Sequence, residues 1–412
     1  MQPESPTSPV SARSLNPLPY HWAIRDFLKN EEPELWKWFS SNKVRQEHTQ
    51  AVRLDLLKST YRLEAATQPH LYELAEEVLG ALQIRAPVTF YQAQSGGGLN
   101  AALAFLPDEA HIILVGSILN TFAAIELKAL LGHELAHFLL FNGWDGELLI
   151  VSEILHALSH DTSALPCHLE SSRLFALYSE IFADRGALAV TQNTLASIAT
   201  LVKVNTGLLD VNAESYLRQA DEIFSKSQVK TDQWTHPEPY IRARALKLFA
   251  DQGENATHEV RQLIEGTAEL NRLDLLGQQK VALDTQHLLN HFLAPRWFQT
   301  ESVLAHARMF FPKFTPAVDG TLDPTLAEGI QNAVQTLQDY YCYVLLDFVA
   351  VDRDLEEIPL AAAVALSERL GLAKRFAQIA IRELGMTKKR FSGIERDAAK
   401  ILERANFATS AS

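Results

Sequence analysis

Cysteine is nearly absent from this chain of 412 residues: Cys167 and Cys342 are its only two, and they lie far apart in sequence. They supply neither a disulfide framework nor a cysteine zinc site, and they suit a reducing compartment. Positive charge is also scarce, with 37 Lys and Arg against 50 Asp and Glu, a formal net charge of −13. That balance argues against non-specific nucleic-acid binding and against a polybasic membrane anchor. Long apolar runs are missing as well. Residues 122–141 are interrupted by Glu126, Lys128, His133, Glu134 and His137, and residues 186–202 by Thr191, Gln192, Asn193, Thr194, Ser197 and Thr200. Neither reads as a membrane span, which needs about 20 predominantly apolar residues. The Pro- and Ser-rich start, Met1 to Leu18, has no basic region followed by an apolar run, so no secretory signal is visible. The expectation is a disordered tail over residues 1–18 on a cytoplasmic protein.

What is present is ordinary for a soluble globular protein with a sizeable core: 47% hydrophobic and 21% charged residues. The length suits two to three domains. From Tyr20 to about Leu82 the pattern is helical, with Leu71, Leu74, Ala75, Val78 and Leu79 along one face. A β-rich patch follows, with strands over Pro87–Tyr91, Asn100–Phe105 and His111–Val115. Gly96-Gly97-Gly98 lies between them. No Lys-Ser/Thr follows these glycines and no G-x-G-x-x-G frame fits, so they read as a turn and not a phosphate loop.

After residue 117 the pattern is helical over 118–141, 147–159, 170–190, 193–209, 213–226 and 239–250. A polar breaker at Asp251–Asn255 marks a candidate domain boundary. A second breaker runs from Thr315 to Pro324, and helices resume near 325–350, 357–371 and 373–384. No fixed-period repeat is present. The expected fold class is α+β, predominantly α-helical, with a main domain over 19–255 and a helical C-terminal domain over 256–412.

The chemistry concentrates in Leu130-Leu131-Gly132-His133-Glu134-Leu135-Ala136-His137-Phe138-Leu139. This is H-E-x-x-H inside an apolar helical run. Residues four apart share one helix face, so both imidazoles reach a single Zn²⁺ while the carboxylate between them lies close to its water. Two histidines and a glutamate on an apolar helical surface would be costly to bury without a metal or strong hydrogen bonds. A catalytic zinc wants a third protein ligand and one open position. The metzincin extension fails, because Leu140 and Gly143 stand where Gly and His are required. The downstream acids are Asp145, Glu147, Glu153, Asp161, Glu170, Glu180 and Asp184. Glu180 and Asp184 stand out, four apart on one face of an otherwise apolar helix. One can bind metal while the other holds a ligand imidazole by its second nitrogen. His156, His160 and His168 are rival third ligands, and an exposed acidic stripe beside Arg185 is the bland alternative.

With these residues in view the sequence resembles peptidase family M-48, the gluzincin metallopeptidases that include HtpX-type quality-control proteases and CAAX prenyl proteases. The resemblance rests on His133–His137, on Glu180-x-x-Ala183-Asp184, and on Thr235-His236-Pro237-Glu238-Pro239-Tyr240-Ile241-Arg242-Ala243-Arg244-Ala245-Leu246. Asn100-Ala101 resembles that family's Asn-Ala element. It spans about residues 60 to 250. It implies a gluzincin domain with a small β-sheet, Zn²⁺ on His133, His137 and Glu180, Glu134 as general base, and Asp184 behind the ligands. It further implies His236 as the donor to the oxyanion and Arg242 as the residue tying its segment to the acidic helix. Without the family, Thr235-His236-Pro237 reads only as a helix N-terminal turn. The strand from Asn100 would pair with an extended substrate.

Three features depart from the family: membrane spans or signal peptides are missing, Leu177 replaces the Arg usual one turn before the ligand Glu (Arg173 lies two turns back), and the link from His137 to Glu180 is short. Residues 335–400 faintly resemble TerB-like helical modules, in which an acidic turn joins two helices. Asp352, Asp354, Glu356 and Glu357 could bind a divalent cation, but Glu357 stands where an EF-hand needs glycine. A solvated acidic helix start is the simpler reading. The expected function is therefore a cytoplasmic zinc endopeptidase acting on protein or peptide substrates, with quality-control or regulatory use and a protein partner docking on the C-terminal helices. The alternative is a catalytically silent or latent peptidase-fold scaffold, against which the intact Glu134 argues.

Overall fold

The computed structural model of the chain describes residues 15–41, 52–94, 98–106, 108–226, 231, 235–317 and 321–410. Most of the expected tail, Gly96 and Gly97 of the glycine turn, and residues 318–320 of the second breaker lie outside the described residues. Among the described residues the protein is mainly helical with one small four-stranded sheet. It divides into two compact units that part at Gly266–Thr267. The sequence placed that boundary at Asp251–Asn255. Those residues instead form a turn within the first unit, where Arg185 bonds to the Glu254 carboxylate and Ala256 is fully buried. A polar stretch here is a packed corner.

The first unit opens with α1 (Pro19–Glu31), α2 (Pro33–Phe39) and α3 (52–59). Proline begins α1 and α2, where its missing N–H would have no helical partner anyway. Leu15 and Leu18, expected in a tail, are buried. The backbone N–H of Leu18 donates to His21 Nδ1 at 3.1 Å, closing the start of α1. His21 itself is fully buried against Phe175, Tyr178 and Phe182. The unbroken helical pattern expected to Leu82 is interrupted by strand β1 (Thr60–Leu63), which pairs antiparallel with β2 (Val88–Ala93). Four residues between helices carry little periodicity of their own, so sheet pairing decides their conformation. Between them lies α4 (Pro69–Leu82), whose Leu71, Ala75, Val78, Leu79 and Leu82 are buried on one face.

The sheet has the order β1-β2-β4-β3. Strand β3 (Asn100–Leu106) runs antiparallel to β4 (Glu109–Val115) with Asn100 opposite Val115, and β2 runs parallel to β4. Strand β3 therefore ends the sheet and presents an outer edge.

From β4 the chain passes through α5 (Ile118–Thr121) into α6 (Ala124–Asn142), then α7 (Glu147–His160), α8 (Pro166–Thr191), α9 (Thr194–Thr206), α10 (Ala213–Lys226), α11 (Pro239–Gln252) and α12 (Thr257–Glu265). Helix α6 is buried on most sides, through Leu130, Leu131, Leu135, Ala136, Phe138 and Leu140. Each of the leucine and phenylalanine side chains contributes roughly 1.5–3 kcal/mol on burial. Helix α8, the longest in this unit, packs along it, and both have glycine where they meet. A Cβ built on Gly132 would lie 2.4 Å from Val190 Cγ2, and one on Gly186 would lie 2.3 Å from Ala136 Cβ. No side chain fits between the helices at that point, so the two glycines set how close their polar faces come.

The second unit is entirely helical among its described residues: α13 (Leu275–Phe292), α14 (Glu301–Phe310), α15 (Pro324–Gln331), α16 (Gln335–Asp347), α17 (Ile358–Arg369), α18 (Ala373–Glu383) and α19 (Lys388–Ser410), with short 3₁₀ turns between them. Its core gathers Leu288, Phe292, Phe298, Tyr341, Leu345, Phe348, Val364 and Phe376. In the acidic turn Asp352 accepts from the Asp354 N–H at 3.0 Å, and Glu357 precedes α17. No metal-ligating cluster forms there among the described residues.

Candidate metal centre

Helix α6 places His133 and His137 on one face, with their ring centroids 4.9 Å apart and their planes nearly perpendicular. Helix α8, held close by the glycine contact, brings Glu180 to them. His133 Nε2 lies 3.6 Å from Glu180 Oε2, and His137 Nε2 lies 3.4 Å from Glu180 Oε1. One donor atom from each of the three lies within 4.8 Å of the others, the single such cluster of His, Cys, Asp and Glu among the described residues. The second nitrogen of His133 faces Asp184, one helical turn beyond Glu180, with Nδ1 donating to Oδ1 at 3.1 Å. That bond puts the His133 proton on Nδ1 and leaves Nε2 as a lone pair aimed at Glu180.

Arg242 of α11 clasps both carboxylates. Its Nε and Nη2 donate to Asp184 at 2.8 and 2.6 Å, and its Nη1 stands 3.2 Å from Glu180 Oε2. Burial alone would raise both carboxyl groups. The Arg242 charge outweighs it, aided by hydrogen bonds from His137 to Glu180 and from Arg242 and His133 to Asp184, and both are held below the usual carboxylate range. Burial opposes a charge on His133, but its bond to Asp184 and the nearby Glu180 overcome that and raise it. Arg242 is raised by the same carboxylates against its own burial. With both carboxylates held ionised, Glu180 and the two imidazoles present a donor set that suits a cation.

Glu134 is 5% exposed and lines the same cleft. His236, in the turn before α11, places Nε2 3.4 Å from Glu180 Oε1 while its side chain remains 61% exposed. Its Nδ1 lies 2.9 Å from Thr235 Oγ1. Asn100 and Ala101 begin β3 at the rim, where Asn100 Oδ1 accepts from the Ala101 N–H at 2.9 Å. The residues singled out in the sequence thus meet around one cleft of about 950 Å³. The rival histidines do not join it: the rings of His156 and His160 lie tilted against each other at 4.0 Å on the exposed face of α7, and His168 accepts from the Leu165 N–H at the start of α8. Arg173, two turns before Glu180, pairs with Glu170.

One wall of the cleft went unnoticed in the sequence. Helix α9 contributes Ser197, Thr200, Leu201, Val204 and Asn205. It is tied to the start of α6 by a buried ion pair, Lys203 Nζ to Glu126 at 2.9 Å, and by the Thr200 hydroxyl, whose one proton is shared between the Ala196 carbonyl at 2.9 Å and the Glu126 carbonyl at 3.3 Å. Nothing in its residue types marks it as part of a site.

Among the described residues no helix is long and apolar enough to cross a membrane. No protein-family model matches the chain, and no solved structure matches it. The chain is similar to the plastoglobule-localized metallopeptidase 48, chloroplastic, of Arabidopsis thaliana, with 29% identity over 195 residues. The aligned part is 43% of this chain and 55% of that protein, so the chain spans about half the length of the curated relative it matches. The similarity is distant.

Proposed function

We propose that this protein is a zinc-dependent endopeptidase of the gluzincin type, with the M-48-like assignment of residues. The observation that carries the proposal is the convergence of His133, His137 and Glu180. Two atoms each 2.0–2.1 Å from one tetrahedral ion sit about 3.3 Å apart. The two imidazole nitrogens stand 3.6 and 3.4 Å from the Glu180 oxygens. Glu180 Oε2 is buried yet accepts no hydrogen bond, although Arg242 Nη1 is near. Two imidazoles and a carboxylate suit zinc, and three protein ligands leave a position open for chemistry.

A dication held by these side chains supplies Lewis acidity, polarising the scissile carbonyl and acidifying water. The remaining work falls to the protein. Strand β3 offers its outer edge to an extended substrate, from Asn100 and Ala101 onward. Glu134 takes the proton of the attacking water and passes it to the leaving amine. His236, open to the cleft, donates to the oxyanion, a role worth on the order of 3 kcal/mol elsewhere. Asp184 and Arg242 hold the tautomer and orientation of His133. Two buried cysteines outside any disulfide suit a reducing, cytoplasmic setting, and the TerB-like resemblance of 335–400 supports a docking role for the second unit.

The test is hydrolysis of casein and of unstructured peptides by the full-length protein, with chelator and with zinc restored. Activity should vanish with chelator and return with zinc. Glu134→Gln should lose roughly 10²–10⁴-fold in rate while keeping its metal. Undiminished hydrolysis by Glu134→Gln, or by metal-free protein, would overturn the assignment.

A further inference from the structure

His236 is the least secured of the residues that meet in the cleft. Its side chain is 61% exposed, and among the described residues its ring nitrogens meet only Glu180 and Thr235, the latter its own neighbour in the chain. An imidazole so placed swings unless the backbone that carries it is held on both sides. On the far side the hold is Arg242, six residues on, which is bonded to Asp184 of α8. On the near side it is Thr231, five residues before His236.

Thr231 is completely buried. Its N–H donates to the Leu263 carbonyl of α12 at 3.2 Å, and its carbonyl accepts from Arg173 Nη1 at 3.4 Å. Arg173 is itself buried on α8. Its Nε and Nη2 donate to the Glu170 carboxylate at 2.8 and 2.6 Å, which fixes the plane of the guanidinium and aims Nη1 at Thr231. One helix therefore grips the stretch 231–242 twice, through Arg173 at its start and through Asp184 at its end. Five residues span at most about 18 Å even when extended, so Thr231 is a short tether for His236. Arg173 lies about 10.5 Å along α8 from Glu180, and neither Arg173 nor Thr231 lines the cleft.

Resting on the peptidase reading above and on the oxyanion role it gives His236, we propose that Arg173 is a positioning residue for that imidazole. Through Thr231 it fixes the segment that presents His236, and so it sets the rate of the chemical step without touching substrate or metal. Lysine cannot stand in for it. A single ammonium can keep the pair with Glu170 but lacks the fork that serves Glu170 and Thr231 together.

The test compares full-length wild-type, Arg173→Lys, His236→Ala and the double variant on an unstructured peptide. Zinc content and hydrogen exchange over 231–242 are measured on the same preparations. Arg173→Lys should keep its zinc while kcat falls about 10- to 100-fold with KM within about twofold, the pattern of a group misplaced in the transition state. His236→Ala should lose about 100-fold or more. The double variant should be no slower than His236→Ala, because Arg173 acts through that side chain alone. Loss by the same factor in both backgrounds, the result of a general structural role, would overturn the proposal. Exchange over 231–242 should quicken in Arg173→Lys while that of α6 stays as it was, and unaltered exchange would overturn the anchor whether or not the protein is active. Arg173→Met combined with Glu170→Gln, which strands no charge, is the second variant and carries the same expectations. Full activity in His236→Ala would overturn the oxyanion role and this inference together. No hydrolysis by zinc-loaded wild-type protein, with exchange still quickened by Arg173→Lys, would leave the anchor standing and overturn the peptidase reading on which its use depends.

Discussion

Burial pushes the His21 imidazole down to about 3, with the Arg185 charge adding to the effect. The unfolded chain takes up that proton near 6.5, so between the two values it binds more protons than the folded protein does. Stability is therefore full above pH 6.5 and falls as the pH drops, by at most about 1.4 kcal/mol per pH unit. Denaturant unfolding of wild-type protein at pH 6.5 and 5.0 should differ by roughly 2 kcal/mol from this residue, and His21→Leu should remove that part of the slope. Equal slopes in the two proteins would contradict it. Asp184 acts at the same scale. It orients His133 through a 3.1 Å bond and is paired with Arg242. Asp184→Asn should weaken metal binding about 10- to 100-fold, read by competition with a chromophoric chelator. Unchanged affinity would remove Asp184 from its supporting role.

The two glycines that face each other between α6 and α8 are an element-scale device. Gly186→Ala would put a methyl group 2.3 Å from Ala136 Cβ and 2.8 Å from the Gly132 carbonyl oxygen, so the helices must separate. The expected loss is about 1–3 kcal/mol of stability, seen in denaturant midpoints, with weaker metal binding because Glu180 recedes from the histidines. Helix α9 has its own anchor. Lys203→Met would strand the Glu126 carboxylate, whose side chain is 11% exposed, at a cost of about 3–5 kcal/mol, and Glu126→Gln combined with Lys203→Met should recover most of it. The i, i+4 pairs His133/His137 and Glu180/Asp184 were legible in the sequence because one helix fixes their spacing. The Lys203–Glu126 pair was not, since the partners are 77 residues apart and a lysine in a helical pattern reads as solvent-facing. For the same reason the α9 wall and the glycine contact stayed hidden: they exist only where separate helices meet.

At the scale of the whole chain, the helical content and three of the four strands could be read from periodicity. Where one unit ends and the next begins was harder to read, because Asp251–Asn255 looks like a linker but is packed through Glu254 and Ala256. Because the three proposed metal ligands all lie before Gly266, a chelator should lower the stability of the first unit. At a metal concentration about 1,000 times the dissociation constant, binding contributes roughly 4 kcal/mol. Calorimetry of the full chain should show one metal-sensitive transition and one indifferent to chelator. A chelator shift in the transition of the helical second unit would contradict this. The central claim is that His133, His137 and Glu180 hold a single zinc ion. Its most direct test is the zinc content of purified full-length wild-type, Glu134→Gln and Glu180→Ala proteins. The account predicts about one zinc per chain in the first two and a large loss in the third; an equimolar zinc content that survives Glu180→Ala would contradict it.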